Sequence, residues 1–284
     1  MDTDEARAVI AEQFPGIPAR TLSGPRSGTS NWCFLVDGEW IFRFPKDREA
    51  EQELGRELMV LPRLRTGSGV AFPAYELFGE PSERYPLRFA AYRAIPGDGL
   101  RREILESLPA AVRERIAQQI GGFLADLHEH PLETGVELRR SPLEWFTNGG
   151  RDFRRKLNEK LYEHRHHPDF PRFRDLFRRL LDDPEIYQQE WCVVHGDLKA
   201  KHILFCPERQ AVTGFLDFGN LCVGDGFADF LHLADIYGMD FCFLALRGYR
   251  RPTAPLLAKK LRKAQLVLEN LADFRQLIGL PSTS

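Results

Sequence analysis

VVHGDLKAKHILFCPERQAVTGFLDFG, residues 193–219, decides how this chain is read. An apolar pair, Val193 and Val194, leads into His195-Gly196-Asp197. Two further apolar runs, 203–205 and 212–216, flank a polar turn, and Asp217-Phe218-Gly219 follows. Short apolar runs bounded by turn residues predict strands, and a hairpin between them folds the second acid back beside the first. Phosphoryl transfer from a nucleotide needs such a pair: one carboxylate orients and deprotonates an acceptor hydroxyl, and the other holds magnesium against the phosphates.

On this reading Asp197 is the candidate catalytic base and Asp217 the candidate magnesium ligand, because a hard divalent cation prefers carboxylate and phosphate oxygens. His195 is expected to be a buried imidazole bonded to backbone near Asp217, bracing the loop. His202 could bind metal through nitrogen, hold Asp197 by a hydrogen bond, or act through water. Lys199 could reach the transferring phosphate; a solvated loop lysine is the alternative, and Lys201 is less well placed.

Toward the N-terminus, residues 3–13 predict a short helix with Thr3 as N-cap and Pro15-Gly16 as its stop. SGPRSGTSN, 23–31, reads as a small flexible connection. Trp32–Val36 and Trp40–Phe44 around Asp37-Gly38 predict a hairpin, with Trp40, Phe42 and Phe44 on one face and Ile41 and Arg43 on the other. A helix is expected from about Asp47 to Pro62, then strands over 75–79 and 87–94. A nucleotide site needs a cation on the α/β-phosphates and an acid to hold that cation. Arg43, with Lys46 as competitor, and Glu57 are the candidates. Gly28, Thr29 and Ser30 could cap phosphates with backbone N–H groups, although the loop lacks G-x-G-x-x-G and equally suits a plain connection. Residues 91–97, including Arg93 and Ile95, stand where a hinge would meet the nucleotide base.

Beyond Ile95-Pro96-Gly97 helices dominate: 109–128 carries an apolar stripe, and 142–164, 172–187, 225–237 and 256–278 are further expectations. The shift suggests two units, a nucleotide-binding lobe over 1–96 and a helical lobe over 97–284 bearing the catalytic loop and acceptor site. The class is α+β. His164, His166 and His167 lie in a charged stretch with no spaced carboxylate partner, so a solvated surface is expected there rather than a metal site.

With 284 residues and 43% hydrophobic content the chain can bury a sizeable core, and a net charge of −2 offers no field to recruit nucleic acid or an anionic membrane. No stretch approaches the roughly 18 apolar residues of a membrane span, and the acidic start, MDTDEARAVI, is unlike a signal peptide. Five scattered cysteines without a C-x-x-C pair suit a reducing cytoplasm.

IFRFPK at 41–46, AAYRAIPG at 90–97, FLADLH at 123–128, VHGDLKAKHIL at 194–204 and LDFGNLCVGDGFADF at 216–230 resemble the aminoglycoside phosphotransferase family. The resemblance covers nearly the whole chain, and the last two motifs together are the specific ones. It implies a bilobal protein-kinase-like fold, with a small β-rich N-lobe and a larger helical C-lobe. The implied activity is magnesium-dependent transfer of the γ-phosphate of ATP or GTP to a small-molecule hydroxyl, with Asp197 as base and Asp217 on the metal. It also implies a supporting role for Asp229.

His202 stands where most of the family carries Asn. With IFRFPK, it is similar to the aminoglycoside 2''-phosphotransferases and the macrolide phosphotransferases, both of which include users of GTP. Arg43 stands where many relatives carry Lys. The resemblance puts aminoglycosides first as acceptors, and with them a role in antibiotic resistance. For these polycations Asp225, Asp235, Asp240, Glu269 and Asp273 are available, and Asp240 resembles a substrate contact of the 2''-enzymes. Competing readings are a macrolide kinase, a kinase of a sugar, choline or amino alcohol, and a catalytically silent kinase-like binding module.

Overall fold

Alternating apolar residues build the first sheet. The computed structural model describes residues 1–27, 30–131, 159, 161–184, 188 and 191–269. Strands β1 (Leu22–Ser27), β2 (Asn31–Val36), β3 (Trp40–Pro45), β4 (Tyr75–Gly79) and β5 (Phe89–Arg93) form an antiparallel sheet in the order β1-β2-β3-β5-β4. Trp40, Phe42 and Phe44 of β3 share one buried face, where they meet Phe34, Tyr85 and Phe89; the Phe44 and Phe89 rings stack at 4.5 Å.

Helix α1 (Thr3–Gln13) closes that face with Ala6, Val9 and Ile10. Its cap is Asp2, not Thr3. The Asp2 carboxylate accepts from the N–H groups of Asp4 and Glu5, and Glu5 accepts the Asp2 N–H in return, which makes Thr3 the first helical residue. A second correction falls at 23–27, expected as a loop and found as β1. Pro25 is tolerated there because β1 is an edge strand whose register shifts between Ser23 and Arg26.

The opposite face of β3 carries Arg43, covered by α2 (Arg48–Val60). Asp47 starts this helix by accepting the Ala50 N–H at 2.9 Å, and Ala50, Leu54, Glu57 and Val60 form its buried side. After β5 the chain pairs β6 (Asp98–Gly99) with β8 (Ile203–Cys206), which in turn pairs with β9 (Ala211–Phe215); β7 (Trp191–Val194) pairs with β10 (Cys222–Asp225).

Around these short strands lie α3 (Arg102–Ser107), α4 (Ala110–Glu129), α5 (Phe170–Leu181), α6 (Phe227–Tyr237), α7 (Met239–Gly248) and α8 (Ala254–Glu269). The helix expected over 142–164 lies mostly outside the described residues. Helices α4 and α7 touch backbone to backbone. A Cβ on Gly121 would stand 1.8 Å from the Ala245 carbonyl oxygen, and one on Gly248 would stand 2.1 Å from that of Gln118. The second core joins the α4 stripe to Val193, Leu198, Ile203, Phe215, Phe218 and Phe227, with Phe123 stacked on Phe215 at 3.9 Å. Val60, Leu61, Leu64 and Val70 belong to it too, so residues before position 96 serve both cores. Among the described residues no helix is long and apolar enough to cross a membrane.

Candidate active site

The three-stranded sheet sets the site. Strand β7 ends at Val194, and the chain turns through Gly196, whose φ is +78° and whose absent Cβ would lie 2.6 Å from the Asn220 carbonyl oxygen. Only glycine fits that turn. The β8–β9 hairpin then returns the chain, so that single ligand atoms of Asp197, His202 and Asp217 all lie within 4.8 Å of one another. Asp217 itself has φ +65°, a left-handed conformation that aspartate tolerates better than most non-glycine residues.

Two hydrogen bonds orient His202. Its Nδ1 lies 2.9 Å from the Asp197 carbonyl oxygen, which can only accept, so Nδ1 carries a proton. Its Nε2 faces Asp217 Oδ2 at 3.1 Å. A neutral ring presents a lone pair at that nitrogen, suited to a cation lying between; a protonated ring donates to the carboxylate. His195 is fully buried, its Nε2 donating to the Leu216 carbonyl at 3.1 Å, and burial pushes its pKa down. It therefore braces the segment as a neutral ring.

Asp197 and Asp217 sit in different fields. Lys199 holds Asp197 Oδ2 at 2.8 Å, and the other carboxylate oxygen takes no hydrogen bond from a described residue. Burial would raise the Asp217 pKa, but the His202 hydrogen bond and the charge of Arg43, 3.8 Å away at Nη2, reverse this and hold the carboxyl well below the usual carboxylate range.

Arg43 donates through Nη1 to both Glu57 oxygens, at 2.9 and 2.7 Å, and contacts the Tyr75 hydroxyl at 2.8 Å. Tyr75 donates to Glu57 Oε2 at 2.8 Å. Burial works against the Arg43 charge, yet the Glu57 carboxylate outweighs it and lifts the guanidinium above its ordinary pKa. Gly219 lies against Glu53 and Glu57, which ties α2 to the segment after Asp217.

Behind the loop, Asp229 accepts the backbone N–H groups of His195 at 2.8 Å and Gly196 at 3.0 Å, and meets His128 Nε2 at 3.1 Å. His128 continues to the Tyr249 hydroxyl at 2.8 Å.

One set of contacts thus joins Arg43, Glu57, Asp217, His202, Asp197 and Lys199. Other candidates stand apart from it. The Lys46 ammonium lies 5.9 Å from the Trp32 ring centroid, and the Lys46 backbone N–H donates to the Ser30 carbonyl. Arg93 lies over Trp40 at 3.8 Å and pairs with Glu39 and Glu76. Ile95 packs toward Gly214. Asp235 and Asp240 are exposed. Asp225, offered as an acid for a polycation, is instead ion-paired with the buried Lys260. Glu269 ends α8 with its side chain outside the described residues, as are Gly28, Thr29 and Asp273. Tyr75 was not foreseen. Only the strand order β3-β5-β4 puts it beside Arg43, and no local pattern predicts that order.

Several solved structures share this fold. The GDP and kanamycin complex of the aminoglycoside phosphotransferase APH(2")-IIIa is 26% identical, covers 96% of this chain and 94% of its own, and superimposes with a TM-score of 0.71. The GDP complex of wild-type aminoglycoside 2'-phosphotransferase-IIIa is 25% identical over 98% and 95% of the two chains, with a TM-score of 0.72. The macrolide 2'-phosphotransferase MphH of Brachybacterium faecium, 22% identical over 99% of this chain and 100% of its own with a TM-score of 0.65, is a likeness of fold alone. The fold is therefore the bilobal, kinase-like one.

Among curated proteins, Acyl-CoA dehydrogenase family member 10 of Mus musculus is 27% identical over 69% of this chain and 18% of its own length. Family member 11 of the same organism is 24% identical over 83% and 31%. The chain thus spans less than a third of the length of these curated relatives. The phosphotransferase enzyme family matches residues 21–266, and the chain belongs to that family.

Proposed function

We propose that this chain transfers the γ-phosphate of a nucleoside triphosphate to a hydroxyl of a small molecule, with Asp197 as the base. The observation that carries the reading is the convergence of Asp197, His202 and Asp217 on a loop braced from behind by Asp229. In the step, the acceptor oxygen bonds to the γ-phosphorus while the bond to the bridging oxygen breaks. The electron pair of that bond leaves with the nucleoside diphosphate, and the hydroxyl proton passes to the Asp197 oxygen that Lys199 does not hold. Positioning and charge neutralisation do most of the work in such transfers.

The donor set fits a divalent cation: the Asp217 carboxylate suits magnesium, and the His202 nitrogen is the poorer partner. Asp217 would hold the ion with His202 beside it, and a bound magnesium supplies neutralisation of the phosphate oxygens. Arg43, kept in place by Glu57 and Tyr75, would steady the α/β-phosphates, with Ser30, Lys46 and the backbone around Ile95 as further nucleotide contacts. The GDP held by the two solved relatives supports a nucleotide donor, and the kanamycin of one makes aminoglycosides an acceptor class to assay.

The test is transfer of labelled γ-phosphate from ATP and from GTP to a panel of alcohols, with and without magnesium. Metal-dependent phosphorylation of an acceptor, lost in Asp197→Asn, is expected. Nucleotide binding without consumption on any acceptor would replace the enzyme by a silent nucleotide-binding module.

A further inference from the structure

A groove of about 620 Å³, broadly open to solvent, lies beside the Asp197 loop, a size that suits a small molecule. Arg101, Lys199 and Lys201 line it against a single acid, Asp98, with Ile104 as the apolar wall. Lys199 belongs to both places: it lines the cavity and bonds Asp197. No residue of the five-stranded sheet or of α2 lines it, so it lies apart from Arg43 and Glu57.

We infer that this cavity receives the acceptor, and that the acceptor is an alcohol carrying an anionic group, a phosphate or a carboxylate. The inference rests on the phosphotransfer reading above and sharpens it.

These cations are exposed, and the segments that carry them are locked together. β6 pairs with β8, the Leu100 N–H donates to Ile203 at 2.8 Å, Tyr237 donates to the Leu100 carbonyl at 2.6 Å, and a Cβ on Gly99 would lie 2.7 Å from Lys201 Cα. The backbones of Arg101 and Lys201 are thereby held on one rim, with both side chains exposed. Neither side chain has a hydrogen-bond or ion-pair partner among the described residues, so their charge is available to a ligand. A polycation would meet two uncompensated positive charges on its way to Asp197 and would be disfavoured there. An anion held by the same two charges would stand beside Lys199, which bonds Asp197.

The test sorts acceptors by charge. Labelled γ-phosphate transfer is measured to phosphorylated alcohols such as glycerol 3-phosphate, to hydroxycarboxylates such as 3-hydroxybutyrate, to neutral polyols and to kanamycin. The wild type, the double variant Arg101→Glu/Lys201→Glu and the charge-keeping Arg101→Lys/Lys201→Arg are compared, with thermal unfolding to certify each fold. Best turnover on one of the two anionic classes is expected, and the better class identifies the group. Charge reversal should lower kcat/KM for it at least about tenfold, chiefly through KM, and the charge-keeping variant should retain it.

Preference for kanamycin or neutral polyols, or indifference to charge reversal, would overturn the inference and leave phosphotransfer standing. A rise in nucleotide KM instead of acceptor KM would also overturn it, by giving the cavity to the nucleotide. A wild type that consumes no nucleotide with any class would remove the phosphotransfer reading and this inference with it.

Discussion

Two aspartates twelve positions apart in the sequence, Asp217 and Asp229, show how the segment is divided into a front and a back. Asp229 is wholly buried and meets three partners, two backbone N–H groups and His128. Asp217 keeps 43% of its side chain exposed, stands in a left-handed backbone conformation, and faces His202 and Arg43 with capacity to spare. A saturated buried carboxylate holds structure. One with an open side is available for a ligand. The same division separates Asp197, with one oxygen unclaimed by any described residue, from His195, whose two nitrogens are both used.

The front is broken hardest at Asp197. Asp197→Asn should lower turnover by about 10²–10⁴-fold with nucleotide affinity kept, as steady-state kinetics and calorimetry would show. Near-normal turnover would move the base elsewhere. At the back, Asp229→Ala strands two buried N–H groups and His128. It should cost about 3 kcal/mol of stability, measured by denaturant unfolding. An unchanged midpoint would mean the brace is dispensable.

Acid sharpens the same contrast. Burial would raise the Asp229 pKa, but the His128 hydrogen bond and nearby histidine charges pull it down to about 2. Because the folded value is depressed, the associated stability is full above the unfolded value near 4. It is lost as pH falls toward about 2, amounting to about 2 kcal/mol. Asp229→Asn should lack that acid-dependent loss. An identical pH profile of the unfolding midpoint would deny the linkage.

The smallest effect is expected at the clamp. Glu57→Gln leaves the Arg43 guanidinium with a neutral partner and should weaken nucleotide binding about tenfold. An unaltered Kd would take Arg43 out of the nucleotide site.

What could be read from sequence follows the range of the interaction. The Asp197–Asp217 pair was legible because one hairpin, β8–β9, brings it together, and α2 was legible from Asp47 and its leucines. Strands β1 and β10 were missed: Gly24 and Pro25 disguise the first, and the second is only four residues long with Gly224 inside. α7 was hidden behind Gly238, which ends one helix and starts the next. Tyr75 and the His128–Asp229 contact depend on residues far apart in the chain, and local periodicity carries no record of them. The fate of Asp225 was equally invisible, since Lys260 reaches it from α8.

The proposed cation site is built on Asp217, with His202 and Asp197 around it, on the phosphate side of the base. Titration of manganese, as a spectroscopic stand-in for magnesium, into the nucleotide complex of wild type and Asp217→Asn tests it most directly. Tight binding in the wild type that is lost in Asp217→Asn but kept in Asp197→Asn is the predicted result. Equal manganese affinity in wild type and Asp217→Asn would take the cation away from Asp217.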